Sequence, residues 1–367
     1  MTQASGRAQR SLHGGLAVVA VVAVVAVMAV TGACRIEVGA PAGNPRTCGD
    51  DSPRGKVVLY TSAYRELTDA LVALASEQLT DVELVVFQGG SEKVAGRLDA
   101  DLAAGRAGAD VLLVSDPLLS RRLKRDGQLL PHASPRATPI DRRLVDVDNA
   151  FVAARASTMV IAFHADQTPR GQVPTTLRSL LRDADDAIAR DVAFGDPLSS
   201  GTALFTAVVV GAGDVSFLGA LRQRGAAIGG GNAVVLQRVL LGERRFGVVL
   251  LENVLLARAR GEPVDFVLPT DAVVIPGDVA ILKDTTNAVA ARAVVDLILS
   301  PAGQALMRGD VGRLHAADPR VAAPADDVPP LHTLLDNRPL DPTLLEQASL
   351  DRAGLLRAVE LALLHQP

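Results

Sequence analysis

Residues 57–117 read VVLYTSAYRELTDALVALASEQLTDVELVVFQGGSEKVAGRLDADLAAGRAGADVLLVSDP. Three short β-rich runs, Val57–Tyr60, Val82–Phe87 and Val111–Val114, alternate here with segments of helical period. In the first helical segment Leu67, Leu71 and Leu74 recur at i, i+4 and i+7, which is one face of a helix. Such alternation buries both faces of a sheet under helices, so the pattern predicts an α/β fold. Each strand runs into a small polar turn: Thr61-Ser62, Gly89-Gly90-Ser91 and Ser115-Asp116-Pro117. Ser91 reads as the N-cap of a helix from Glu92 to Ala104, and Leu118–Arg125 as a helix closed by Gly127.

Outward from this stretch, two apolar runs lie back to back over Phe151–Phe163 and mark a crossing into a second α/β series. Pro174-Thr175-Thr176 opens a helix there. A strand at Val192–Phe194 follows, then the loop Gly195-Asp196-Pro197-Leu198-Ser199-Ser200-Gly201-Thr202 and an apolar helix, Ala203–Val210. Helices near Asp214–Arg224 and Asn232–Leu241 precede a strand at Phe246–Leu251 and a short helix ending at Gly261. The β-rich runs Val264–Leu268 and Ala272–Ile275, split by Pro269, read as a second crossing, back to the first series, before a helix over Ala288–Leu299. These signals divide the body into 55–152 (first lobe), 153–268 (second lobe), 269–314 (return to the first) and a tail, 315–367. The tail's Leu355, Val359 and Leu363 at helical spacing predict a helix packed on the first lobe.

At the other end, Arg7 and Arg10 precede an unbroken apolar run, Leu16–Val30, and the small residues Thr31, Gly32 and Ala33. That run falls short of the roughly 20 residues a membrane span needs and suits a secretory signal, so residues 1–33 are expected to be a signal peptide, with an uncleaved anchor as the alternative. Cys34 follows at once, where a bacterial lipoprotein is cleaved and acylated, although Thr31 stands where such boxes carry Leu, Val or Ile. The other reading pairs Cys34 with Cys48, the only other cysteine, as a disulfide in an oxidising compartment. Both readings export the protein, and residues 34–54, rich in Pro, Gly and Asp, read as a flexible tether.

Composition narrows the function. A chain of 367 residues with 49% apolar and 21% charged residues is globular and long enough for two domains. Its net charge of −4 and the absence of a basic run interleaved with aromatics exclude a nucleic-acid partner. There is no Gly-x-Ser-x-Gly elbow, His-Glu-x-x-His or phosphate-binding Gly-x-x-x-x-Gly-Lys loop, and the six histidines share no metal-site spacing. No enzyme activity and no cofactor are expected.

The loop ending at Thr202 carries the chemistry. The first N–H groups of a helix lack intrahelical acceptors, and the helix dipole places partial positive charge beside them. Ser199, Ser200 and Thr202 add hydroxyl donors, and Gly201 lets a ligand approach the backbone. Plain helix capping is the competing reading. Ser62, Ser91 and Ser115 also stand at strand ends, where ligands of open α/β sheets bind, so together these turns describe a neutral, donor-rich cleft for a small anion.

Val57–Arg65, Gly89–Leu98, Ala109–Pro117, Gly195–Thr202, Gly230–Phe246 and Pro263–Met307 carry a resemblance. They look like the ferric-iron, phosphonate and sugar-phosphate branch of the bacterial extracellular solute-binding proteins of ABC transporters. Asp196–Thr202, an Asp-Pro-x-x-Ser-Gly-Thr pattern, is the most specific part, and Pro301–Met307 resembles the family's C-terminal helix stretch. The resemblance implies a two-lobed periplasmic-binding-protein type II fold, each lobe a mixed sheet flanked by helices. Such a protein, expected as a monomer, closes on one solute and hands it to a permease and its ATPase. Iron-binding members use adjacent tyrosines. Here Gly247–Leu256 has none, and only Tyr60 and Tyr64 exist. The phosphate and phosphonate branch therefore fits better, with Glu252 where a cleft acid would meet a hydroxyl or amine of the solute, or else capping a surface helix. A ferric receptor and a sensor that signals to a membrane partner are the alternatives.

Overall fold

The computed structural model describes residues 52–337 and 341–364. The expected signal peptide, the acylation site at Cys34 and nearly all of the tether lie outside them. The chain runs β1 (Gly55–Thr61), α1 (Arg65–Gln78), β2 (Val82–Gln88), α2 (Ser91–Ala103), β3 (Val111–Val114), α3 (Pro117–Arg125) and β4 (Leu129–Leu130). The long β5 (Phe151–His164) leads to α4 (Leu177–Leu181), α5 (Asp186–Arg190), β6 (Val192–Phe194), α6 (Gly201–Gly211) and α7 (Phe217–Gln223). Next come β7 (Ala227–Ile228), α8 (Asn232–Leu240), β8 (Phe246–Leu250), α9 (Leu251–Ala259) and β9 (Val264–Val267). The chain closes with β10 (Val274–Leu282), α10 (Ala288–Ile298), α11 (Pro301–Arg308), β11 (His315–Ala316), α12 (Leu331–Asn337), α13 (Pro342–Leu350) and α14 (Arg352–Leu364).

The strands form a mixed sheet in the order β2-β1-β3-β10-β5-β8-β6-β7, with β4 on β10 and both β9 and β11 on β5. Parallel pairs join β1 to β2 and β3, and β6 to β7 and β8. Between these two parallel blocks lie the antiparallel strands β10 and β5. Over Phe151–Thr158, β5 pairs with β10; from Met159 on it pairs with β8. One strand thus serves both lobes. The back-to-back runs of the sequence are this single strand, and all of its residues are buried, which accounts for the absence of a polar alternation.

The return strand is longer than expected. The β-rich run read from the sequence ends at Ile275, yet β10 continues through Pro276-Gly277 to Leu282 by means of a β-bulge at Gly277/Asp278. Bulges are among the few places where proline is tolerated inside a sheet. Gly277 is required for a second reason: a Cβ there would sit 2.7 Å from Cγ of Arg155 on the facing strand.

Two large apolar clusters fill the lobes. The first joins β1, α1, α10 and α11 through Leu59, Leu67, Leu71, Val294 and Met307. The second joins α6, β6 and β8 through Phe194, Phe205 and Phe246, whose full burial contributes on the order of 1.5–3 kcal/mol each. The tail departs from expectation. α12 packs Leu334 and Leu335 into the first cluster, but α14 puts Val359 and Leu363 into the second, against Phe217, Leu218 and Leu221 of α7. Helical spacing specifies which face is apolar, not which lobe receives it. Among the described residues, no single helix is long and apolar enough to cross a membrane.

Candidate functional site

The turns after β1 and β3 meet. The main-chain N–H of Ser115 donates to Oγ of Ser62 at 3.0 Å, and Thr61 Oγ1 donates to the Leu113 carbonyl at 2.8 Å. Ser115 Oγ is buried and has no partner among the described residues. Asp116 caps α3 by accepting from the N–H groups of Leu118 and Leu119, each at 3.1 Å. Ser91 is not the cap of α2. It is the helix's first residue, and Gly90 holds the cap position with no side-chain bond, so the Ser91 hydroxyl is not committed to capping.

In the second lobe, Asp196 folds the loop on itself: Oδ1 accepts from Leu198 N–H at 2.9 Å, and its carbonyl accepts from the N–H groups of Ser199 and Ser200. Ser200 is the N-cap of α6, accepting weakly from Ala203 N–H at 3.4 Å, and shares a hydrogen bond with Thr202 Oγ1 at 3.1 Å. Asn232, the first residue of α8, donates to the same Thr202 oxygen at 3.1 Å. No acceptor for the amides of Gly201 and Thr202 occurs among the described residues. Ser199 is exposed and Ser200 and Thr202 are buried.

The two sets of turns touch. A Cβ at Gly201 would lie 2.8 Å from Cβ of Ser91 and 3.2 Å from Oδ2 of Asp116, so only glycine permits this approach. The N-termini of α2, α3 and α6 thus converge. Ser62, Ser91, Ser115, Ser200, Gly201 and Thr202 belong to this region, as the strand-end pattern predicts. A cavity of about 470 Å³ lined by Arg121, Arg142, Phe151 and Asp278 includes none of them in its lining.

Two further features depend on contacts between residues far apart in the sequence. Arg352, at the start of α14, inserts its guanidinium beside the contact, with Nη2 on Asp116 Oδ2 at 2.7 Å and on Oε1 of Glu92. The three side chains are largely buried. Burial pushes the Glu92 carboxyl up to about 7, and the neighbouring Asp116 adds to this while Arg352 opposes it. Glu92 and Asp116 lie 260 and 236 residues from Arg352 in sequence, a separation no local pattern spans.

The second feature surrounds Glu252, which is not the surface cap its position at the start of α9 allowed. Only 2% exposed, it accepts from Ser157 Oγ at 2.6 Å, and Ser157 in turn accepts from Arg155 Nη1 at 3.4 Å. Burial raises the Glu252 carboxyl, with Ser157 and Arg155 pulling the other way. Tyr64 feels the charges of Glu252 and Arg155, but its hydroxyl is committed to the Gly312 carbonyl. Tyr60 is bound to Asp101 at 2.7 Å. Arg65 and Lys93, which flank the turns, are exposed. Among the described residues, no group of three His, Cys, Asp or Glu is placed to hold a metal ion.

The family described as bacterial extracellular solute-binding protein matches residues 57–310. The chain belongs to this family. Its members are transport receptors, not enzymes; they bind a small solute outside the cytoplasm and dock on the permease of an ABC transporter. Solved structures similar to this receptor share its fold. Iron-bound HitA from Pseudomonas aeruginosa is 18% identical, with a TM-score of 0.69 over 83% of this chain and 99% of its own. AfuA from Actinobacillus pleuropneumoniae, with exogenous fructose-6-phosphate bound, is 19% identical, with a TM-score of 0.68 over 82% and 96%. The substrate-binding protein of an ABC transporter from Agrobacterium tumefaciens is 18% identical, with a TM-score of 0.68 over 86% and 96%. Among curated proteins, none matches this sequence.

Proposed function

We propose that this receptor captures a small anionic solute, phosphorylated or phosphonate, between the serine turns of the first lobe and the Ser199–Thr202 loop of the second. The observation that carries the reading is the convergence of helix N-termini at Gly201. There the amides of Gly201 and Thr202 and the buried hydroxyl of Ser115 lack acceptors, while Ser200 and Thr202 flank Gly201 in the chain. Uncommitted donors under a positive helix end suit an oxyanion. Ferric ligation is disfavoured because both tyrosines are committed to other hydrogen bonds. Glu252 would act from the hinge, orienting Ser157 and Arg155. We assign residues 1–33 to a signal peptide, Cys34 to lipid attachment and 34–54 to a tether. Residues 55–152 and 269–314 would form one lobe, 153–268 the other and 315–367 the tail of a monomeric, membrane-anchored receptor.

The test is a thermal-shift screen of the mature protein with phosphate, phosphonates, sugar phosphates, polyamines and ferric complexes. A solute at 100 times its Kd stabilises the folded state by about 2.7 kcal/mol. Stabilisation by an organophosphate or phosphonate that Ser200→Ala with Thr202→Ala removes supports the reading. A response only to polyamines or ferric complexes, or to none of the set, overturns it.

A further inference from the structure

We propose that the C-terminal segment Asp341–Leu364 is a clasp that ties the two lobes together, with Arg352 as its catch. The segment is anchored at both ends on different lobes. α13 lies along α3 of the first lobe, where Arg125 Nη1 donates to the Ser349 carbonyl at 2.9 Å, and it also sets Leu345 into the second lobe's apolar cluster. α14 lies along α7 of the second lobe, where Arg222 Nη1 donates to the Leu363 carbonyl at 3.1 Å. The helices pack so closely there that a Cβ at Gly219 would come within 2.6 Å of the Ala362 carbonyl oxygen.

Between the two anchors stands Arg352, immediately after the C-cap Asp351 of α13. Its partners Glu92 and Asp116 border the Gly201–Ser91 contact, so the catch closes beside the point where the lobes meet. Separating the lobes therefore requires Leu345 of α13 to leave the second lobe's cluster, and the segment either to leave α7 or to draw Arg352 out from between two buried carboxylates. Drawing it out breaks two charge-assisted hydrogen bonds, to Glu92 and to Asp116, which is costly. The clasp does not depend on which solute the cleft takes, and it sets the resistance any solute meets when the cleft opens.

Hydrogen exchange of the mature protein, without added solute, tests this with Arg352→Met, which keeps the apolar stem and removes the charge. Loss of a charge-assisted hydrogen bond sets the scale, so amides of residues 88–94 and 196–204 should exchange roughly tenfold faster, with β1 and α10 unchanged. The radius of gyration should rise in parallel, and Arg352→Lys should restore part of the protection. Unchanged exchange at both turns, or an acceleration spread evenly over both lobes, overturns the proposal. If Arg352→Met does not fold, Arg222→Ala decides. That exposed residue anchors only α14, and its loss should speed exchange at the same two segments; no change there overturns the clasp.

Discussion

Two buried groups of charges sit at the junction of the lobes and differ in how they are assembled. At the hinge, Arg155 and Glu252 are linked through Ser157, with two of the three residues on β5. At the lobe contact, Arg352 bonds Asp116 and Glu92 directly and reaches them from the far end of the chain. Two members of the hinge group lie on β5, which runs unbroken through both lobes, and Glu252 lies buried on α9 beside them, so no rigid movement of the lobes exposes the group. The contact group can regain water if the lobes part. Equal chemistry therefore has unequal consequences: the first is a condition of folding, the second a term in opening and closing.

The sharpest way to break this comparison is stability. Arg155→Ala leaves Glu252 buried without its cation and should cost about 3–5 kcal/mol in urea unfolding. Arg352→Met should cost less, about 1–3 kcal/mol, because opening rehydrates Glu92 and Asp116. Equal losses would show that both groups belong to the folding core. Next in size is Gly201→Ala, whose Cβ meets Ser91. Overpacking of this kind costs about 1–3 kcal/mol, and here it should be relieved by parting of the lobes, read as a larger radius of gyration.

A smaller effect separates the two groups by pH. The Glu92 carboxyl is raised to about 7, so the closed arrangement takes up a proton between its ordinary 4.5 and about 7. Its contribution is therefore present at the acid end of that window and lost as pH rises through 7. Arg352 and Asp116 face it, with Asp99 further off. Asp278, raised to about 6, acts in the same direction, while the lowered His315 acts oppositely. The measurement is thus a difference: Glu92→Gln should flatten the change in melting temperature between pH 5 and 8 relative to wild type. An identical profile would remove Glu92 from the balance. Smallest of all, Arg170→Ala should leave stability within about 1 kcal/mol, since its pair with Asp265 is open to solvent.

Much of the site was legible in the sequence because strand-end turns are local. Ser62, Ser115, Ser200 and Thr202 follow short β-rich runs and precede helical periods, and a sheet of that order gathers such turns at one end. Ser91 is the first residue of α2 and not its N-cap, since a cap and a first helical residue differ by one position. Glu252 could be placed on the first turn of a helix, but its burial depends on β5 passing beneath it. The β-rich run ending at Ile275 is only the first part of β10, and the facing Arg155, which leaves no room for a Cβ at Gly277, is not visible from the local sequence.

The sequence by itself determined the α/β alternation, the polar turns and the kinship, since each rests on residue types within a few positions of one another. Only the tertiary structure decided that one strand serves both lobes, that the tail divides between them, and that Arg352 ends beside Glu92 and Asp116. Those outcomes depend on which surfaces meet after the chain has folded back on itself, and periodicity within a helix or strand carries no information about its distant partner.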